Sequence, residues 1–570
     1  MRWPLLLTAV AAALPSAAAT QTLSLCDAGT ALTPIAEIQG RERRSPLLDQ
    51  GVTVEGIVTT AFLGAGTLGG VFIQMASGDG DLATSNALFV RLLSRSPFTE
   101  LEFRPGDLLR ARGVVKETGS QTTLDRVEAL ERCANVDPIP PTEITFPLLD
   151  ADIWEAHEGM LVEIRGPLTV TEVYNLGRYG EVSVADTRLY HPNNGQPAEA
   201  NALRRIIIND GSRLQNPTEV PFLVEGGVPR VGDRVDRLLG ILVNDGFDTY
   251  RLEPLVPPSF TRAVPRPERP DAVGGRLRVA AVNVLNFFTT LGDRGADTLE
   301  ELGRQRDKLV SALQTLDADV LALVEVENND TEAASALVNA LNRVEGTDTY
   351  VFMPDPATGV GGDRIKQVIL YRPAVLELIG STSAVESIFE RAPVAATFRE
   401  RASGEVFTLV AVHFRSKGGC PTAGDTDEGY GCWNLRRSAQ AQIVVDFAAQ
   451  LVRDTDDPDV LVLGDFNSYR QEPPLRIFEA AGYISLDDRL PAESRYSYVF
   501  FGEAGTLDYA LASPSLNRQT AGFTIWHINA DEPPALDYNT EFNPAWLYTP
   551  DPFRSSDHDP LLLGLDLGSE

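Results

Sequence analysis

Just past an apolar run, Val460-Leu461-Val462-Leu463, the sequence sets Asp465 and Asn467 two positions apart in Gly464-Asp465-Phe466-Asn467. In an extended chain that spacing sends both polar side chains to one side and returns Phe466 to the core. A carboxylate beside an amide suits a hard cation and a phosphoryl oxygen. Glu325 follows Val320-Leu321-Ala322-Leu323-Val324 in the same way, and Asn283 follows Arg278-Val279-Ala280-Ala281-Val282. Mg²⁺ takes few carboxylates and fills its other positions with water and phosphate, so a sparse acidic set is sufficient. Of the five His, His413 and His558 lie in polar clusters, Val412-His413-Phe414-Arg415-Ser416-Lys417 and Ser556-Asp557-His558-Asp559. An imidazole among carboxylates is held in one tautomer and kept basic, which activation of water near neutral pH requires. His157, His191 and His527 are read as structural. A strand-end Asp taken singly is also a common turn former, so the argument rests on the set.

The elements that must position these residues change character along the chain. Residues 26–136 carry short β-type runs separated by Gly, including Val52–Val58, Gly70–Gln74 and Ala87–Arg91, as a small barrel or sandwich would. Gly106-Asp107 leading to Gly113 is echoed by Gly232-Asp233 leading to Gly240, which predicts a second copy over 142–260. A Pro-rich stretch closing on Gly274-Gly275 predicts a stiff, then flexible linker at 261–275. From 276 to 567 strands alternate with helices, a mixed α/β domain. Leu302, Leu309, Val310, Leu313 and Leu316 share one helical face, and Asp330 is placed to cap the next helix.

The composition excludes one simple account. With 80 acidic against 49 basic residues and a net charge of −31, the overall field repels polyanions, so a phosphate substrate needs local basic groups or bound cations. Lysine is scarce, which draws attention to Lys366 and Lys417, with Arg372 and Arg415 near them in sequence. Residues 1–19 have the basic start, apolar run and small-residue end of a signal peptide, which predicts a secreted, extracellular or periplasmic protein. No later run approaches the length of a membrane span. Cys26, Cys133, Cys420 and Cys432 in an oxidising compartment favour two disulfides, the spacing suggesting Cys26–Cys133 and Cys420–Cys432. Three connectivities are formally open, and a zinc site is the competing reading. Asp531, Glu532 and Asp537 could hold structural Ca²⁺ or form an ordinary acidic loop.

In this order, Asn283, Glu325, His413, Gly464-Asp465-Phe466-Asn467, Asp508 in Thr506-Leu507-Asp508-Tyr509, and Ser556-Asp557-His558 resemble the endonuclease/exonuclease/phosphatase superfamily, to which DNase I belongs. Asn283-Val284-Leu285-Asn286-Phe287-Phe288, His413 to Gly419, Gly431-Cys432-Trp433-Asn434, Trp526 to Pro533 and Arg554 to Pro560 are similar to large secreted bacterial nucleases with N-terminal OB-like modules. The resemblance implies two OB-like β-barrels followed by a four-layer α/β/β/α sandwich. It implies a secreted, metal-dependent hydrolase of phosphodiester bonds, an extracellular deoxyribonuclease or endonuclease cutting DNA and also RNA, using Mg²⁺ or Mn²⁺, with no obligate protein partner. Glu325, with Asn283 and Asp557, would hold the metal; Asp465 and Asn467 would act beside it on the scissile phosphate. His558 would be the general base, oriented by Asp508, and His413 would contact the phosphate. Lys366, Arg372, Arg415 and Lys417 would supply positive charge. The sequence departs from DNase I where a Glu would support His413, since Ile365 stands there. A phosphatase or phosphodiesterase acting on lipid or sugar phosphates, and a catalytically dead matrix-binding protein, are the alternatives.

Overall fold

Near-continuous apolar runs along the strands of the C-terminal half, alternate residues facing opposite ways, build a stack of layers. The computed structural model describes residues 24–569 apart from 65, 93–95, 199, 213, 219, 224–226, 245, 247–248 and 347, so the signal peptide expected at 1–19 lies outside the described residues. The chain divides into two units, essentially 1–139 and 140–570.

In the first unit, β1 (Gly51–Phe62), β2 (Gly70–Gln74), β3 (Ala87–Arg91), β4 (Asp107–Thr118) and β5 (Gln121–Asn135) close a barrel in the order β1-β2-β3-β5-β4. The pair β3–β5 is parallel. A disulfide joins Cys26 to Cys133.

The second unit begins with β6 (Thr142–Ile144), β7 (Leu161–Glu172), β8 (Val182–Ala185), β9 (Leu189–Tyr190), β10 (Arg205–Ile208), β11 (Arg234–Asn244), β12 (Tyr250–Pro254) and β13 (Phe260–Thr261). Here β7-β8-β10-β12-β11 closes back on β7 with β10–β12 parallel, the same circuit as the first barrel. The repeated Gly-Asp has one physical role in both. Gly106 and Gly232 turn with φ of +94° and +96°, and the Asp that follows accepts the backbone N–H of Arg104 or Arg230, at 2.9 and 3.0 Å.

The rest of the unit contributes β14 (Leu277–Phe287), β15 (Val320–Glu327), β16 (Val351–Phe352), β17 (Ile365–Tyr371), β18 (Leu376–Ser383), β19 (Val394–Glu400), β20 (Val406–His413), β21 (Val460–Asp465), β22 (Ile484–Ser485), β23 (Tyr498–Phe500), β24 (Glu503–Gly505), β25 (Asp508–Ala512), β26 (Thr520–Ile525) and β27 (Leu561–Leu565). Two six-stranded sheets form, β16-β17-β15-β14-β27-β26 and β18-β19-β20-β21-β25-β22. Val279, Ala281, Val320 and Ala322 face Phe398, Leu409, Leu461 and Leu463 between the sheets. Their alternates Ala280, Val282, Leu321 and Leu323 pack on helices Leu299–Leu316 and Glu332–Glu345. On the far side Val410, Val412, Val460 and Val462 pack on helix Asn434–Thr455. Period-two burial on both faces of each sheet thus yields the order helix, sheet, sheet, helix.

Two local expectations change. Asp330 does not cap its helix; Asn329 Oδ1 accepts the Ala333 N–H at 3.1 Å, because the chain turns left-handed at Asp330, φ +57°. The Pro stretch before Gly274 is tied down rather than free. Arg266 pairs with Glu532 at 2.7 Å, and Trp526 Nε1 donates to the Pro267 carbonyl at 2.9 Å. The acidic cluster is likewise engaged: Asp531 takes Arg188 at 2.8 Å, and Glu532 takes the fully buried Arg230 at 2.8 Å. In addition β24 pairs in parallel with β9, so one three-stranded sheet, β23-β24-β9, carries strands from both parts of the unit. Among the described residues no helix is long and apolar enough to cross a membrane.

Candidate active site

Two parallel strand pairs, β14–β15 and β20–β21, end on the same side of the sandwich. Their last residues therefore converge. Both members of the first pair leave regular geometry there: the β14–β15 register shifts between Asn283 and Phe287, and β15–β17 shifts between Leu323 and Val326. The extra residues take left-handed backbone at Leu285, Asn286 and Glu325, with φ of +51°, +48° and +69°, and Asn467 does so at +49°. Left-handed backbone costs roughly 1–3 kcal/mol at each non-Gly position and persists only where the surroundings enforce it. The bulges turn Glu325 so that Oε2 accepts the Asn286 N–H at 2.9 Å and Oε1 accepts Asn283 Nδ2 at 3.1 Å.

On the second pair, Asp465 Oδ1 accepts the Asn467 N–H at 2.7 Å, while Asn467 Nδ2 donates to the Phe414 carbonyl at 3.2 Å. His413 Nε2 lies 3.5 Å from Asp465 Oδ2 and 3.9 Å from Glu325 Oε1. Its Nδ1 has no hydrogen-bond partner among the described residues. Ile365 is buried, so no carboxylate from that position supports the ring. Instead Arg391 fixes the His413 backbone, donating from Nε to its carbonyl at 3.1 Å.

His558 enters from the turn before β27. Its Nδ1 meets Asp508 Oδ2 at 2.7 Å, and the same oxygen accepts Ser497 Oγ at 2.7 Å. The turn itself is clamped from outside. Asn529 Nδ2 donates to the His558 carbonyl at 2.6 Å and Oδ1 accepts the Ser555 N–H at 2.9 Å. Asp559 takes the Asn529 and Ala530 N–H groups at 2.8 and 3.0 Å and His527 Nδ1 at 2.9 Å. Side-chain atoms of Glu325, His413 and Asp465, and again of Asp465, Asp508 and His558, lie within 4.8 Å of one another.

The electrostatics follow from this crowding. Burial raises the Glu325 carboxyl, and the Asp557 carboxylate raises it further. Burial raises Asp465 too; His558 opposes the shift, while Asp508 and Glu325 add to it. Burial lowers His413 well below the usual imidazole range, helped by the Arg391 and His558 charges. Burial also acts to lower His558, yet the Asp508 and Asp557 carboxylates outweigh it and hold the ring well above its ordinary value. No Lys or Arg ion pair is made by Glu325 or Asp465 among the described residues. Buried, oxygen-rich and short of positive charge, this donor set fits a divalent cation.

The anticipated basic residues are each engaged by a counter-ion or a ring. Lys366 is buried and bonds Asp355 and the Asp330 carbonyl, both at 2.6 Å. Lys417 grips the fully buried Glu472 at 2.6 Å, and burial lowers its ammonium to about 8 despite that partner. Arg372 pairs with Asp317 and Asp319 at the opposite end of β15 from Glu325. Arg415 lies over the Trp433 ring at 4.8 Å, near the Cys420–Cys432 disulfide. Ser497 and Arg391 offer no cue in the sequence; Asn529 and Asp559 lie within its motif runs, Trp526 to Pro533 and Arg554 to Pro560, but without an assigned role.

Residues 280–558 match the Endonuclease/Exonuclease/phosphatase family model, and residues 147–262 match a Domain of unknown function (DUF8508). No curated protein matches the chain. Among solved structures, the human Nocturnin catalytic domain with bound sulfate anion is 16% identical with a TM-score of 0.34, over 53% of this chain and 98% of that one. A mannosyl-6-phosphatase of Bacteroides thetaiotaomicron is 14% identical with a TM-score of 0.33, over 51% and 99%. D. rerio TDP2 complexed with single strand DNA product is 15% identical with a TM-score of 0.32, over 50% and 97%. Residues 280–558 therefore carry the similarity of this chain to the Endonuclease/Exonuclease/phosphatase family.

Proposed function

We propose that this domain hydrolyses phosphodiester bonds of nucleic acid, DNA first and RNA second. The observation that carries the reading is the His558–Asp508 pair at 2.7 Å, set against the part-buried Glu325 and the buried Asp465 carboxylates, which lack a Lys or Arg partner among the described residues. Glu325, with Asp465, Asn283 and Asp557 beside it, would hold Mg²⁺ or Mn²⁺. Bound there, the ion would withdraw charge from a phosphoryl oxygen. The Asp508 and Asp557 carboxylates favour the doubly protonated ring; with a cation bound to offset them and Nδ1–H donated to Asp508, His558 would have a lone pair on Nε2 to accept a proton from the attacking water. Ser497 and the Asn529–Asp559 clamp keep that ring in place. Neutral His413 donates from Nε2 to a phosphate oxygen, and the Asn467 amide lies beside it.

Two disulfides and the leader-like residues 1–19 support export to an oxidising compartment, and the two five-stranded circuits support OB-like modules. The test is cleavage of linear and circular DNA with Mg²⁺, Mn²⁺ and Ca²⁺, separately and together. His558→Ala and Asp465→Ala should each lose on the order of 100-fold or more in kcat. Unaltered rates in both, or faster turnover of a sugar or lipid phosphate than of DNA by the wild type, would defeat the nuclease reading.

A further inference from the structure

Beside the catalytic turn lies a cavity of about 820 Å³ whose walls come from two parts of the same unit. Asp557, Arg554 and the hairpin Tyr498–Phe501 form one wall; Trp154, Glu181, Arg205, Tyr250 and Arg251 of the second barrel contribute to the other. Asp557 is the residue before His558, so the cavity opens directly on the site.

Its aromatic rings are not arranged as a core. Tyr498 lies 4.6 Å from the His558 ring, Phe500 lies 6.3 Å beyond Tyr498 in stacked orientation, and Phe501 lies 4.4 Å beyond Phe500. A file of rings therefore runs from the histidine outward and ends in solvent, with Phe500 51%, Phe501 70% and Tyr174 across the cavity 68% exposed. Exposed large aromatics lining one concavity mark a binding surface far more often than a packing defect. The turn that presents them is strained: Phe501 is held left-handed at φ +48° next to Gly502 at +74°. A bulky aromatic is an outlier there, and such outliers concentrate at functional positions.

The polar lining narrows the ligand. Arg205, Arg251 and Arg554 are matched by Glu172, Glu181 and Asp557, so the cavity has no surplus positive charge to hold a run of phosphates. Arg251 bonds Glu181 within the barrel wall, and Arg205 donates to the Phe501 carbonyl, which ties the two walls to each other. Arg554 is 9% exposed, and its Nε finds no partner among the described residues. Ring faces for stacking, with buried donors and acceptors at their edges, are what a nucleobase requires.

We infer that this cavity is a base-binding subsite, in which one or two unstacked nucleobases flanking the scissile phosphate lie against Tyr174, Phe500 and Phe501. The inference rests on the nuclease reading and adds that the second barrel supplies half of the subsite. The enzyme then prefers single-stranded or frayed nucleic acid, because a base held in a duplex stack cannot enter.

The experiment measures kcat/KM of the full-length protein with Mg²⁺ on a single-stranded oligonucleotide and on one of the same length with abasic residues throughout. The wild type should favour the base-bearing strand by roughly tenfold or more, the scale of stacking on aromatic side chains. Tyr174→Ala and Phe501→Ala, both at exposed positions, should each bring that ratio down several-fold, with Tyr174→Phe restoring it. A wild-type ratio near one, or variants that leave it unchanged, overturns the subsite while the nuclease reading stands. A wild type that cleaves neither strand overturns both.

Discussion

At the scale of single residues, the arrangement turns on which proton each imidazole carries. Asp508 can hold His558 in its working tautomer only as an acceptor, with Ser497 already donating to the same oxygen. Asp508→Asn keeps the shape and removes that preference. Its kcat should fall on the order of 100-fold or more with KM little changed; single-turnover rates would check this, and an unimpaired variant would discard the dyad. The donors themselves were legible because Asp465, Glu325 and Asn283 each close an apolar run, and strand ends are where buried sheets meet solvent. The fate of Lys366 and Lys417 was not. Their acceptors, Asp355 and Glu472, lie 11 and 55 residues away, and a charge is spare only when no fold brings it a counter-ion.

At the scale of elements, the repeated Gly-Asp encodes a turn that both five-stranded circuits need. The engagement of the Pro stretch was hidden, since its partners are Trp526 and Glu532, more than 250 residues downstream. The buried Arg230 holds that region together through Asp531 and Glu532. Arg230→Ala leaves two buried carboxylates with one arginine each, Arg188 and Arg266, and should cost about 1–3 kcal/mol, read as a lower urea midpoint for the unit. A midpoint within error of wild type would mean the seam is dispensable. His191 offers a pH test in the same region. It stacks on Tyr469 at 3.6 Å, and burial pushes its imidazole down to about 4, aided by Lys417. A neutral native His with a pKa below its unfolded value of about 6.5 means the unfolded chain binds the proton first. Stability should therefore drop as pH falls from about 6.5 towards 4, and His191→Phe should flatten that part of the urea-midpoint profile; an unaltered slope would assign the loss to other groups.

At the scale of the whole molecule, a net charge of −31 would face the proposed nucleic-acid substrate with the same sign. Long-range repulsion is what added salt screens, whereas the donors around Glu325 act at contact distance. For linear DNA at fixed Mg²⁺, kcat/KM should accordingly rise as monovalent salt goes from about 10 to 100 mM, the reverse of a nuclease that recruits its substrate by a basic surface. A steep fall over that range would point to a basic track on the surface. The three-stranded sheet shared with the second barrel has a further consequence. In the order β23-β24-β9, β24 is covered on one flank only because Leu189–Tyr190 lies along it. A fragment cut out at Gly274 would carry that hairpin with a raw, unpaired border beside the aromatic tip, the kind of surface on which identical chains add to one another. The barrel is thus also the cover over that border.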